Sequence, residues 1–287
     1  MDNSTRGWLN GGIGVAIFAG SLPATRVAVT GFSPVFLTCA RASIAAALAI
    51  ALLMLLRQPR PERRQLASLA VVALGVVIGF PLLTALALQH VTSAHSTVFV
   101  GILPLCTAVF GVLRGGERPR PGFWACSLLG SALVIGYAAM GGLQASATGD
   151  LLMLAAVLVC GLGYAEGARL SRQLGGWQVI SWALDLALPL MLPIAWLSRP
   201  DSFAPVPAAA WLGLAYVSLF SMLIGFIFWY RGLAQGGIAA VGQIQLLQPF
   251  LGLALAAGLL HEPVSATMLW VMAGAVACVA GARRFAR

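Results

Sequence analysis

Residues 243–263 read Q-I-Q-L-L-Q-P-F-L-G-L-A-L-A-A-G-L-L-H-E-P, and residues 102–118 read I-L-P-L-C-T-A-V-F-G-V-L-R-G-G-E-R. In each stretch a proline inside an apolar run precedes a glutamate by thirteen residues: Pro249 and Glu262, Pro104 and Glu117. One shift of 145 residues superimposes both pairs, and without a gap it also aligns Leu88 with Leu233, Ala94 with Ala239, Ala132 with Ala277, Val134 with Val279 and Gly136 with Gly281. The chain is therefore expected to repeat, as halves 1–145 and 146–287. The glutamines do not follow the repeat: Gln243, Gln245 and Gln248 align with Val98, Val100 and Leu103. An amide left unpaired in hydrocarbon costs several kcal/mol, so these three side chains need partners or water.

Composition places the whole chain in a membrane. It has 287 residues, 60% hydrophobic and 9% charged, with mean hydropathy +0.93; soluble domains carry about 25% charged residues. Ten apolar segments follow one another: 8–30, 33–56, 66–89, 94–113, 122–141, 150–170, 177–197, 208–233, 236–260 and 265–283. Most approach the roughly 20 residues a spanning helix needs. The fold class is an all-α polytopic membrane protein of ten transmembrane helices. The five cysteines all lie in apolar runs with no C-x-x-C, which fits reduced core residues.

All 17 basic residues are arginine. With the N-terminus inside, fourteen fall in cytoplasmic segments, against Arg26 and Arg199 outside and Arg41 within the second span. That bias orients the chain with both termini cytoplasmic, in the bacterial inner membrane. Trp8, Trp124, Trp177, Trp196 and Trp211 sit near segment ends, as interfacial anchors do. The repeat maps segments four and five onto nine and ten. Five crossings per half is an odd number, so the second half must be inverted, an arrangement suited to alternating access.

The unit of a helix with a proline, a glutamate thirteen residues on and a glycine-bearing helix, once per half, resembles the EamA-type repeat of the drug/metabolite transporter superfamily. The resemblance includes G-D-L-L-M-L-A-A-V-L-V-C-G-L-G-Y at 149–164. Within that superfamily the chain is most similar to the bacterial YddG-type exporters of aromatic and other amino acids. The resemblance implies a ten-helix secondary transporter with a central cavity between spans 1, 3, 4, 6, 8 and 9. The first helix, G-I-G-V-A-I-F-A-G-S-L-P-A, lacks the tryptophans typical of the family, so no site residue is transferred there.

The residues nominate a substrate cavity of Ser21, Phe80, Phe99, Tyr164, Ser221, Phe226, Trp229, Gln245 and Gln248, with helix kinks at Pro23, Pro81, Pro104 and Pro249. Gln245 and Gln248 are three apart and share a face; Gln243 faces elsewhere. Pro249 lacks a backbone donor and is expected to free a carbonyl near Gln245. Aromatic walls with a few amides and hydroxyls suit a zwitterion with an apolar side chain. Trp229, Tyr230 and Arg231 also fit an inner interfacial anchor. Glu166, three residues before Arg169, is expected as a surface ion pair. Arg41 and Asp185 lie deeper, in repeat-mate spans, and no obvious buried carboxylate for proton coupling remains.

The expected activity is export of small amphipathic metabolites, amino acids foremost. Purines, sugars or cationic compounds are alternative cargo, and an enzyme or channel is a weaker reading. No H-E-x-x-H, G-x-S-x-G or paired aspartates occur, and His90, His95 and His261 stand at segment ends. No cofactor, metal or nucleic acid is expected; the partners are a small-molecule substrate and the bilayer, with the protein a monomer or weak homodimer.

Overall fold

The structure is a computed structural model that describes residues 2–87, 90–91, 99–140, 146–260 and 266–286. These are helices joined by short turns, with no strand among the described residues. In chain order they are α1 (Asn3–Ala19), α2 (Ser21–Ala28), α3 (Pro34–Leu55), α4 (Arg63–Ala87), α5 (Leu103–Gly115), α6 (Pro121–Ala139), α7 (Ala147–Leu174), α8 (Gly176–Leu197), α9 (Ala208–Gly236), α10 (238–260) and α11 (Ala266–Phe285). Five of them, α3, α4, α7, α8 and α9, are long and apolar enough to cross a membrane unaided by length and composition. Leu55, Leu197, Leu212 and Trp270 stand largely exposed, as side chains facing lipid do.

Local signals explain the ends. Asp2 caps α1 by accepting from the Thr5 N–H at 2.9 Å. Ser33 caps α3, with Pro34 in the first turn, and Glu62 with Gln65 forms a capping box at α4. Gly175 and Gly237 take positive φ, 98° and 97°, where a side chain is strained. Each is the single residue joining two long helices, α7 to α8 and α9 to α10.

Four elements depart from the expected uninterrupted spans. The first is broken at Gly20, under which the Tyr216 hydroxyl sits and donates to the Ile17 carbonyl at 2.9 Å. α4 and α9 each contain a π-helical stretch, Ala73–Gly79 and Val217–Ile224. α10 opens with Ile238–Gly242, tightens to a 3-10 turn over Gln243–Leu247 and resumes as α-helix at Gln248. α5 begins at Leu103, nine residues after the expected start; residues 92–98 lie outside the described residues, as do Glu262, His95 and His261.

The prolines occupy these irregularities. Pro23 follows the Gly20 break, and Pro81 follows the π-stretch of α4. Pro104 and Pro249 are not mid-helix kinks: each falls in the first turn of an α-helical segment, where a missing N–H is one of the unbonded four anyway. The carbonyl expected to be freed by Pro249 is also taken, because the Gln248 N–H bonds back to the Gln245 oxygen in the 3-10 turn. Pro189 and Pro193, not singled out above, lie inside α8.

Glycine contacts set the central packing. A Cβ on Gly7 of α1 would stand 2.4 Å from the backbone nitrogen of Gly236, and one on Gly232 would stand 2.5 Å from that of Gly11. α1 and the last half of α9 thus meet backbone to backbone. α3 packs along α8, α6 along α11, and α7 is the hub that meets α4, α5, α8 and α9.

Candidate functional site

The hub carries a buried cluster of aromatic and polar side chains. Tyr164 of α7 is 5% exposed, with its ring 5.4 Å from Trp229 and 6.0 Å from Phe226, both on α9. Phe18 of α1 closes the other side, edge-on to Phe226 at 5.1 Å and to Trp229 at 6.2 Å. Gln245 reaches in from the 3-10 turn of α10, and its Nε2 donates to the Tyr164 hydroxyl at 3.4 Å. Two polar atoms around Tyr164 are buried without partners among the described residues: Trp229 Nε1, a donor, and Gln245 Oε1, an acceptor. Buried polar groups are nearly always bonded; ten side-chain atoms among the described residues are not, and these two belong to residues in contact with one tyrosine.

Not all nominated residues meet here. Phe226, Trp229, Tyr164 and Gln245 do. Ser21 and Ser221 form a separate pair, hydroxyl to hydroxyl at 2.8 Å, between the Gly20 break and the π-stretch of α9. Phe80 and Phe99 are half-buried and pack on the main core, Phe99 also against Ala87, Val91 and Met153. Gln248 is half-buried. Gln243 is fully buried on another face, donating to the Pro104 carbonyl at 3.3 Å. Trp229 and Tyr230 are completely buried, which removes the interfacial-anchor alternative. Glycines explain that burial: Gly167 of α7 has no Cβ, and the Tyr230 ring occupies that space. Phe18 was missed; its only signal was its place in a glycine-rich first helix.

The arginine-rich end holds a second constellation. Glu166 is not a surface residue: its side chain is fully buried and paired to Arg169 and, across to α5, to Arg114 at 2.9 Å. Arg169 also donates to Ser68 Oγ of α4 at 2.9 Å. The buried carboxylate absent from the sequence reading is this one. Local spacing showed only Arg169; Arg114 is 52 residues away in sequence. Nearby, Glu117 accepts from the backbone N–H of Ile238 at 2.6 Å and of Ala239 at 2.7 Å, and from Arg172 at 3.2 Å. A carboxylate at a helix N-terminus bonds its free donors and meets the positive end of its dipole. These contacts tie together α4, α5, α7 and α10. Two cavities open at this end, of about 190 Å³ beside Arg64, Ser68 and Arg169 and about 570 Å³ beside Trp8, Glu117 and Arg172. Farther along, the Arg41 Nε of α3 is buried without a bonding partner among the described residues, and Asp185 of α8 is half-buried.

Comparison with known proteins follows the same lines. The EamA-like transporter family matches residues 5–138 and again 147–283. A Bacillus subtilis protein named "Uncharacterized transporter YdeK" is 66% identical over 287 residues, 100% of both chains. A Streptantibioticus cattleyicolor protein named "Probable terminal-alkyne amino-acid exporter" is 28% identical over 231 residues, 79% of this chain and 76% of that one. A solved crystal structure superimposes with TM-score 0.82 at 20% identity, covering 96% of this chain and 97% of that one, a likeness of fold.

Proposed function

The chain belongs to the EamA-like transporter family, and from that premise we propose that it exports small zwitterions with apolar side chains, amino acids including aromatic ones foremost. The observation that carries this reading is the unmatched pair around Tyr164. Trp229 Nε1 needs an acceptor and Gln245 Oε1 needs a donor. An α-amino acid brings both, a carboxylate and an ammonium, on one carbon. Phe18, Phe226 and the Tyr164 ring supply apolar walls for its side chain. The name of the S. cattleyicolor relative, a probable terminal-alkyne amino-acid exporter, agrees with this assignment.

Ten spans in the bacterial cytoplasmic membrane, with both termini cytoplasmic, are part of the same proposal. So are two inverted halves, 1–145 and 146–287, that work by alternating access. The two π-stretches start at Ala73 and Val217 and the two first-turn prolines are Pro104 and Pro249; these equivalences, at a shift near that of the sequence repeat, support it. The arginine-rich end then faces the cytoplasm. The rings around Tyr164 are packed on one another, and the Glu166 and Glu117 contacts hold the cytoplasmic ends of α4, α5, α7 and α10 together. Separating those contacts opens the cluster to cytoplasmic substrate.

The test is flux in proteoliposomes loaded with radiolabelled amino acids. Saturable, competable movement of apolar amino acids, lost in Gln245→Ala protein that still folds, is the expected result. Absence of saturable flux for every amino acid, with saturable flux of a purine or sugar, overturns the substrate class.

A further inference from the structure

The cavity of about 570 Å³ at the arginine-rich end is lined by Arg118, Arg172 and Arg283, from three separate segments, together with Asp2, Trp8 and Glu117. Three arginines thus face two carboxylates. Glu117 is held by two backbone amides and Arg172, and Asp2 accepts from the Thr5 N–H. Arg118 and Arg283 are exposed and have no carboxylate partner among the described residues. The lining therefore carries a net charge of +1, with Arg118 and Arg283 on its exposed side.

Its depth is set by Trp8. The Arg283 guanidinium lies 5.0 Å over the indole ring, and tryptophan favours the headgroup level of a bilayer. One helical turn further into α1, the space beside Gly12 is empty of other atoms. Leu9 and Ile13, on either side of it, are 53% and 44% exposed. An exposed apolar face of α1 thus continues from the pocket along Leu9, Gly12 and Ile13. Basic pockets between helices on the cytoplasmic side hold anionic lipid headgroups.

We propose that this cavity binds the headgroup of an anionic phospholipid, with its phosphodiester between Arg118 and Arg283, its glycerol edge on Trp8 and an acyl chain along Leu9, Gly12 and Ile13. The proposal rests on the orientation given above only for the choice of leaflet, and its test does not depend on transport. The full-length protein is extracted from phosphatidylcholine nanodiscs with and without phosphatidylglycerol, and retained lipid is measured by native mass spectrometry beside the thermal midpoint. Wild-type protein is expected to retain phosphatidylglycerol and to gain thermal stability from it. Arg118→Gln/Arg283→Gln is expected to weaken retention about 30-fold, since each arginine beside an anionic headgroup contributes about a factor of five. Arg60→Gln/Arg63→Gln, which removes two exposed arginines elsewhere on the same side, is expected to retain the lipid. Equal retention by wild type and the cavity variant, or equal loss in both variants, overturns the site. So does a stability gain reproduced by inorganic phosphate alone, which would make the cavity a solute site.

Discussion

The Glu117 carboxylate lies 2.6 Å from the backbone N–H of Ile238, a contact between residues 121 positions apart. It accounts for a glutamate at the far end of a helix that starts with a proline. Glu117 lies two residues past the end of α5 and caps the start of α10, so its side chain fixes the docking of α10 on α5. Glu117→Gln keeps one acceptor but loses the charge and one amide bond. We expect a loss of about 1 kcal/mol, in the range of helix-capping substitutions, and a larger loss for Glu117→Ala. Thermal unfolding in detergent reads both; unchanged midpoints would show that the cap is dispensable.

The cluster around Tyr164 makes a chemical distinction. Trp229→Phe keeps an aromatic wall and removes only the N–H. If that N–H meets a substrate carboxylate, KM for amino acids rises about tenfold or more, as expected for a hydrogen bond to a charged group, while transport of the matching decarboxylated amines is unaffected. Equal effects on acid and amine would place Trp229 in packing alone.

Glu166→Gln leaves Arg114 and Arg169 without their shared counter-charge. Both arginines are partly exposed, so the stability loss should stay near 1–2 kcal/mol, below that of a wholly buried pair. The conformational effect is more telling. Cys160, one turn before Tyr164 and 1% exposed, should react several-fold faster with a small cytoplasmic methanethiosulfonate in Glu166→Gln than in wild type, with Cys160→Ala as control. Identical labelling rates would mean that the pairing does not hold this end closed.

Two glycines separate close approach from incidental composition. Gly232→Ala forces a Cβ onto the Gly11 backbone and should cost about 2–3 kcal/mol through overpacking. Gly136→Ala meets nothing within 4 Å and should be neutral or stabilising by about 0.5–1 kcal/mol through helix propensity. Expression level and thermal midpoint of the two variants, side by side, check the contrast.

Hydrophobic runs, turn residues and Arg-rich breaks were enough to place most helices within a few residues, because span length and loop charge are local properties. The candidate site was only half legible. Tyr164, Phe226, Trp229 and Gln245 stood out as polar or aromatic residues in apolar helices, and they meet. Phe18 did not, because an ordinary phenylalanine in an apolar helix carries no mark of its direction. The role of Glu166 depended on Arg114, whose approach is set by packing of α5 on α7. Gln245 was expected beside a freed carbonyl, but the 3-10 turn consumed it, a backbone adjustment that residue spacing does not reveal.

The π-stretch of α9 acts as a phase shifter. Before it, α9 lies against α2; after it, the same rod turns to α1 and α7. The extra residue within Val217–Ile224 advances everything downstream by about 100°, and this rotation is what aims Phe226 and Trp229 at Tyr164. Removing any one residue from the stretch would restore an even helix, shorten it by about 1.5 Å and leave its hydropathy almost unchanged, yet swing both rings off the cluster. Reading frame along this helix therefore decides whether the proposed substrate cluster forms. A single-residue deletion scan of 208–236 should show membrane insertion throughout and flux lost on every deletion that resets the phase, recovered when one residue is inserted nearby.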